Sequence, residues 1–204
     1  MVELFPVAFG DCHSLKEITL PSTLKYIGDT CFAIDTLLSS ITIPESVDSI
    51  GQAVFQVCRS LTEATILSKM KVLPGWSFFD CVSLRTVKLS EGLEIICPTA
   101  FCYCEGLESI NLPGTLKGID EWAFEGCLSL RELRLPASVT EIANNVFVNG
   151  TKLDKLILDS AVPPTIQENT FDDYSAAVIV PKGAGEAYRR HEFWGRFTNI
   201  TEEK

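Results

Sequence analysis

The stretch Ala100–Ile119, AFCYCEGLESINLPGTLKGI, decides how the whole chain is read. Twenty-three residues upstream, Ser77–Phe78 leads into Cys81, Leu84, Val87 and Leu89. Twenty-three residues downstream, Ala123–Phe124 leads into Cys127, Leu130, Leu133, Leu135 and Pro136. A fixed period of this size marks a solenoid, whose units are too small to bury an apolar face alone and so stack on one another.

The period holds along most of the chain. Phe9, Phe32, Phe55, Phe78, Phe101, Phe124 and Phe147 form one column without slip. Leucines follow six residues after each, from Leu15 to Leu153, and then a period-two pair such as Ile41/Ile43, Val87/Leu89 or Leu133/Leu135. An I-x-L pair reads as a short strand with one buried face. Pro21, Pro44, Pro113 and Pro136 end that strand, since proline has no N–H for a continuing ladder. A second apolar pair, for example Leu93/Ile96 or Leu116/Ile119, brings the chain back along the other wall. Seven such rungs predict a parallel inner sheet roughly 30–35 Å long.

The pattern changes after Leu158. Two prolines enter at Pro163–Pro164, Phe171 comes one residue late, and Val178-Ile179-Val180-Pro181 repeats the strand signature as an eighth rung. Ala187, Tyr188, His191 and Trp194 predict a short helix after Gly185. An irregular, aromatic-rich final unit is what a capping unit requires.

The expected fold is one α/β-type repeat solenoid: a right-handed superhelix with a parallel inner sheet of short strands and little regular helix except near the C-terminus. A single domain is expected over 1–204, with repeats at 5–160 and a C-terminal capping unit at 161–204. Hydrophobic residues make up 46% of the 204 residues, enough for the continuous core this needs. The net charge of −10 argues against a non-specific nucleic-acid binder, which needs a basic face. No apolar run reaches the length of a membrane span, so no membrane insertion is expected. The opening MVELFPVAFG lacks the basic and apolar regions of a signal peptide. Leu4 stands where Ile27 does one unit later, so the chain opens partway through a unit. The expectation is a portion of a longer protein.

The A-F-x-x-C-x-x-L-x-x-I-x-L-P-x-x-L-x-x-I unit at Ala100–Ile119 and Ala123–Ile142 resembles the BspA-like leucine-rich repeat family. The ending VIVPKGAGEAYRRHEFWGRFTNI is similar to the last unit of bacterial cell-surface members. The resemblance implies an extracellular or cell-surface protein, and some relatives act as adhesins for host or bacterial partners. This sequence departs from the unit where Asp35 and Gly150 replace the cysteine, and where Leu67, Ser90 and Asp159 replace the proline.

Apparatus for catalysis is not visible. Cys12, Cys58, Cys81, Cys104 and Cys127 share one column, where cysteine is expected as a small buried hydrophobe rather than a ligand or disulfide half. His13 and His191 lie far apart and lack ligand spacing, so no metal site and no cofactor are expected. No serine stands in a G-x-S-x-G elbow.

The outward positions of the strands hold the candidate binding residues, because neighbours of the core I-x-L pair point away from it. Glu63, Arg85, Lys88, Glu108, Asn111, Arg131, Arg134 and Ile157 are expected on a concave, mixed-charge face. The arginines there suit bidentate recognition of carboxylates. Trp76 and Trp122 share another column with Thr99 between them, and are expected half-buried or as an aromatic patch for a protein or sugar. The function read from these residues and the resemblance is non-enzymatic: a protein-protein interaction or adhesion module binding a host matrix or bacterial surface protein. The alternatives are a structural spacer and, with less support, a hydrolase or metal enzyme.

Overall fold

The computed structural model describes residues 2–203. Strands from two walls of one coil follow each other along the chain. One wall opens with β1 (Val2–Leu4) and β2 (Leu24–Ile27), and the other with β3 (Ser40–Ile43). They then alternate as β4 (Ser49–Ile50), β5 (Glu63–Ile66), β6 (Val72–Leu73), β7 (Thr86–Leu89) and β8 (Ile95–Ile96). The same alternation continues with β9 (Ser109–Asn111), β10 (Gly118–Ile119), β11 (Glu132–Leu135), β12 (Glu141–Ile142) and β13 (Lys155–Leu158). The ending carries β14 (Ala177–Val180), helix α1 (Gly185–Arg190) and β15 (Asn199–Glu202).

Every pairing is parallel, and the register keeps the repeat: Ile41 faces Ala64, which faces Val87, which faces Ile110. Alternation along each strand divides the residues as the I-x-L pattern requires. In β3, Ile41 and Ile43 are buried while Ser40 and Thr42 are exposed. The expected strand at Ile18–Leu20 does not form, and the long-strand wall begins one rung later at β3. That wall is also split. β3-β5-β7-β9 and β11-β13-β14-β15 are separate four-stranded sheets.

At the split, β9 is one residue shorter than β7 and β11. The Asn111 side chain turns back on the preceding rung, accepting from the Leu89 N–H at 2.9 Å and donating to the Leu89 carbonyl at 2.9 Å. A carboxamide thus completes the ladder that a backbone peptide completes elsewhere, and β9 ends at Asn111. The second apolar pair of each unit also forms strand, giving β12-β10-β8-β6 on the other wall.

A third run of hydrogen bonds joins the turns around the phenylalanine column. The N–H groups of Trp76, Phe78 and Asp80 donate to the carbonyls of Pro98, Ala100 and Cys102 at 3.3, 2.8 and 2.9 Å. The two positions flanking each phenylalanine are left-handed, as at Trp76 (φ 64°) and Asp80 (φ 57°) or Thr99 (φ 64°) and Tyr103 (φ 58°). This conformation, sparsely populated by residues other than glycine, aims alternate N–H groups along the coil axis and leaves few buried donors unpaired. Inside, the rings stack from Phe9 through Phe32, Phe55, Phe78, Phe101, Phe124 and Phe147 to Phe171, with centroids 4.9–5.7 Å apart.

The final unit packs against the end of this stack, with Trp194 and Phe197 meeting the Phe171 ring at 5.7 and 5.2 Å. α1 is shorter than the apolar spacing predicts, because His191 adopts an extended backbone (φ −69°, ψ 136°). Its Nδ1 then accepts from the Phe193 and Trp194 N–H groups, and a 3₁₀ turn follows at Trp194–Arg196. The fully buried Trp194 donates from Nε1 to the Pro164 carbonyl at 2.8 Å, and Tyr188 donates to the Ser160 carbonyl at 2.8 Å. The proline-bearing segment after Leu158 therefore accepts the polar atoms of both buried rings.

Candidate functional site

The long-strand wall brings the expected binding residues onto one outward face, but most of them are already engaged within the chain. Arg85 pairs with Glu108 one rung on at 3.3 Å. Arg131 donates to the Lys152 carbonyl at 3.2 Å. Arg134 holds Asp159 at 2.5 Å and lies 3.8 Å from Glu203. Asn111 is taken up by Leu89, as described. Glu63 and Lys88 are exposed, with no side-chain partner among the described residues. Ile157 is only 9% exposed, flanked in register by Arg134 and Ile179, so it offers little surface.

These pairs run along the coil axis, between equivalent positions of neighbouring turns. Being exposed, these pairs add little to stability, and the carboxylate partners are held where a competing ligand can reach them. Hollows interrupt the face, and two of them lie among the expected residues. One, of about 160 Å³, opens at the sheet split between Ile110, Asn111, Leu112, Arg134, Pro136 and Asp159. The other, of about 340 Å³, lies along the wall's edge and includes Arg85, Gly106, Glu108 and Ser129. Four of the eight expected residues therefore border hollows. Nothing in the linear pattern marked the one at the split, which Asn111 borders.

The cysteines do more than fill space. The thiols of Cys58, Cys81, Cys104 and Cys127 donate to the carbonyls of Phe32, Phe55, Phe78 and Phe101 at 3.0, 3.0, 3.1 and 3.3 Å. In the turn whose column residue is Gly150, Thr151 takes over, donating from Oγ1 to the Phe124 carbonyl at 2.7 Å. All eight cysteines are free thiols. Burial pushes Cys31 up to about 11 and Cys58 up to about 12. It raises Cys81, Cys102, Cys104 and Cys127 as well, so these sulfurs stay protonated donors rather than nucleophiles. Among the described residues no group of three or more His, Cys, Asp or Glu side chains is placed to hold a metal ion.

Trp76 and Trp122 are 44% and 39% exposed, with Thr99 buried between them. They stand on the phenylalanine turns, away from the long-strand wall. Trp76 packs on Phe79 at 5.0 Å, and Phe79 meets Tyr103 edge-on at 5.9 Å.

Against known families, the model for the BspA type leucine rich repeat region matches in six copies, over residues 4–106 and 77–180. The chain belongs to the BspA-type leucine-rich repeat family. Among solved structures, it is similar to a leucine-rich repeat protein from Bacteroides ovatus at 25% identity and TM-score 0.77, covering 99% of this chain and 52% of that one. A Eubacterium ventriosum leucine-rich repeat protein is 29% identical with TM-score 0.67, over 74% of this chain and 42% of that chain. A leucine-rich cell surface protein from Faecalibacterium prausnitzii is 26% identical with TM-score 0.53, over 82% and 50% respectively. This BspA-type chain thus spans about half the length of the solved relatives it matches. No curated protein sequence matches it. No helix among the described residues is long and apolar enough to cross a membrane.

Proposed function

We propose that this BspA-type chain is a non-catalytic binding module of a bacterial cell-surface or secreted protein, and that it recognises a protein partner on the outward, concave face of the long-strand wall. The observation that carries this reading is the hollow at the sheet split, where Arg134 and Asp159 border an apolar floor of Ile110, Leu112 and Pro136. A hollow of that size accepts a single side chain, and a buried anchor surrounded by polar contacts is the usual source of interface affinity. The paired charges beside it supply a partner with both signs at fixed spacing, and Arg131 and Arg134 engage its carboxylates in exchange for their present acceptors. Adhesion to host matrix or bacterial surface proteins is the role proposed for that binding. The likeness to a leucine-rich cell surface protein supports the location.

The test is affinity capture from host matrix and bacterial surface extracts, with wild type and the Arg131→Glu/Arg134→Glu double variant immobilised in parallel. Partners retained by wild type and lost by the variant support the reading. Identical captured sets contradict it.

A second reading, a rigid spacer within a larger surface protein, is favoured by the unbroken phenylalanine stack. A neighbouring domain that accounts for all binding by the intact protein would support the spacer and remove the need for a recognition face.

A further inference from the structure

We propose that a groove beside Trp76 binds a neutral saccharide chain, at a site separate from the long-strand wall. The groove encloses about 450 Å³ where the short-strand wall meets the phenylalanine turns. Asp29, Gln52, Gly75 and Pro98 occupy the same position in four successive turns, so the groove runs along the coil axis for about 14 Å, three rung spacings.

Its depth comes from missing side chains. Gly75 presents none in that column, and Gly51 has no room for one, because a Cβ there would lie 2.2 Å from Asp29 Oδ1. What remains is a mixed lining. Val72 and Pro98 contribute apolar surface, and Asp29 and Gln52 supply the polar edge at one end. Asp29 Oδ1 accepts the Gln52 N–H at 2.8 Å. Asp29 Oδ2 and the Gln52 carboxamide have no partner among the described residues, so an acceptor and a donor–acceptor pair face the groove uncommitted.

Trp76 is the least expected residue there. A bulky side chain at φ 64° is disfavoured, and leaving an indole 44% exposed forgoes much of its burial. Equivalent positions in other turns hold Thr30, Ala53 and Asn145, so the coil does not need tryptophan. Contact with Phe79 at 5.0 Å fixes the ring at the groove's margin.

An aromatic platform beside an apolar floor and a carboxylate–carboxamide edge matches a pyranose. Its axial C–H bonds stack on the negative π-face, and its ring hydroxyls both donate and accept. Asp29 disfavours an anion, and a small cation uses neither the groove's length nor the carboxamide. Trp122 stands in the same column two turns on, about 10 Å away. It is 39% exposed and offers a second platform to a chain of sugars lying along the axis.

The test is a tryptophan-fluorescence titration of the intact chain with soluble gluco-, manno-, galacto- and N-acetylglucosamine oligosaccharides, and with tetramethylammonium chloride as a cation probe. Trp194 is fully buried and contributes a constant background. The expected result is saturable quenching by at least one oligosaccharide, tighter for longer chains. Affinity falls about tenfold in Trp76→Ala, as loss of an aromatic contact implies. Gln52→Ala weakens it as well. Trp76→Asn, which suits the left-handed backbone, separates loss of the platform from loss of folding. Arg131→Glu/Arg134→Glu leaves it unchanged. Quenching by no member of the series, equal affinity in Trp76→Asn, or saturation by tetramethylammonium instead overturns the proposal.

Discussion

The Cys81 thiol donates to the Phe55 carbonyl at 3.0 Å, across one turn of the coil. The contact recurs at Cys58, Cys104 and Cys127, and Thr151 reproduces it with a hydroxyl. The Phe55 carbonyl also accepts the Cys58 N–H at 3.2 Å, as the Phe78 carbonyl does the Cys81 N–H, so the thiol adds a second bond to an acceptor that is already paired. Such a bond contributes about 0.5–1.5 kcal/mol. Cys104→Val keeps the volume and removes the S–H. It is expected to destabilise the chain by about that amount in calorimetric melting; an unchanged melting temperature would reduce cysteine to a space-filler.

Asp35 breaks the column in a way that makes stability depend on pH. It is fully buried, its Oδ1 accepts the Cys12 N–H at 2.8 Å, and Oδ2 has no partner. Burial pushes its carboxyl up to about 6, from an ordinary value of 3.8. With the folded-state value raised, the favourable contribution is fully present below the ordinary value and is lost as pH rises through about 6. Asp35→Asn removes that titration. Its melting temperature relative to wild type is expected to rise as pH increases between the ordinary value of 3.8 and the raised value of about 6, and to level off above that. A constant difference across that range would show that Asp35 is solvated like a surface carboxylate.

The thiols should separate into two kinetic classes. Cys12 and Cys97 are partly exposed, whereas Cys31, Cys58, Cys81, Cys102, Cys104 and Cys127 are buried. Dithiobisnitrobenzoate is expected to label Cys12 and Cys97 first, with the rest reacting only on unfolding. Intact mass is expected to be the same with and without reductant. A loss of two mass units without reductant would reveal a disulfide, and fast labelling of all eight would mean that the core opens.

Asn111 is expected to matter through Leu89. Asn111→Ala removes both side-chain bonds to that peptide, and the Leu89 amide should exchange faster with solvent than the Val87 amide one pleat away. Unaltered protection at Leu89 would mean that the backbone re-forms the ladder by itself.

Much of this architecture was legible because a solenoid writes its packing once per turn. The phenylalanine column and the I-x-L strands follow from period and polarity alone. What stayed hidden depends on hydrogen bonds, which hydrophobicity does not encode. The thiol contacts looked like apolar packing, although Asp35 and Thr151, both polar and buried, were a signal that the column wants a polar atom. The left-handed positions carried no signature, since tryptophan, threonine and alanine occupy them as well as asparagine. On the candidate face, the glutamates beside the arginines signalled neutralising pairs such as Arg85–Glu108, but the Arg134–Asp159 pair was not legible. Arg134 and Asp159 lie one turn apart in space and 25 residues apart in sequence, a separation two residues off the period.

The same pairing sets the decisive experiment for the outward face. With a partner in hand from the capture experiment, its affinity is measured for wild type, Arg131→Glu/Arg134→Glu and Trp76→Asn, alongside the melting temperature of each. Recognition at the sheet split predicts a loss of about tenfold or more in the double variant, the scale of one lost charged contact, with the affinity of Trp76→Asn unchanged and both variants still melting cooperatively. Equal affinity of wild type and the double variant would contradict it.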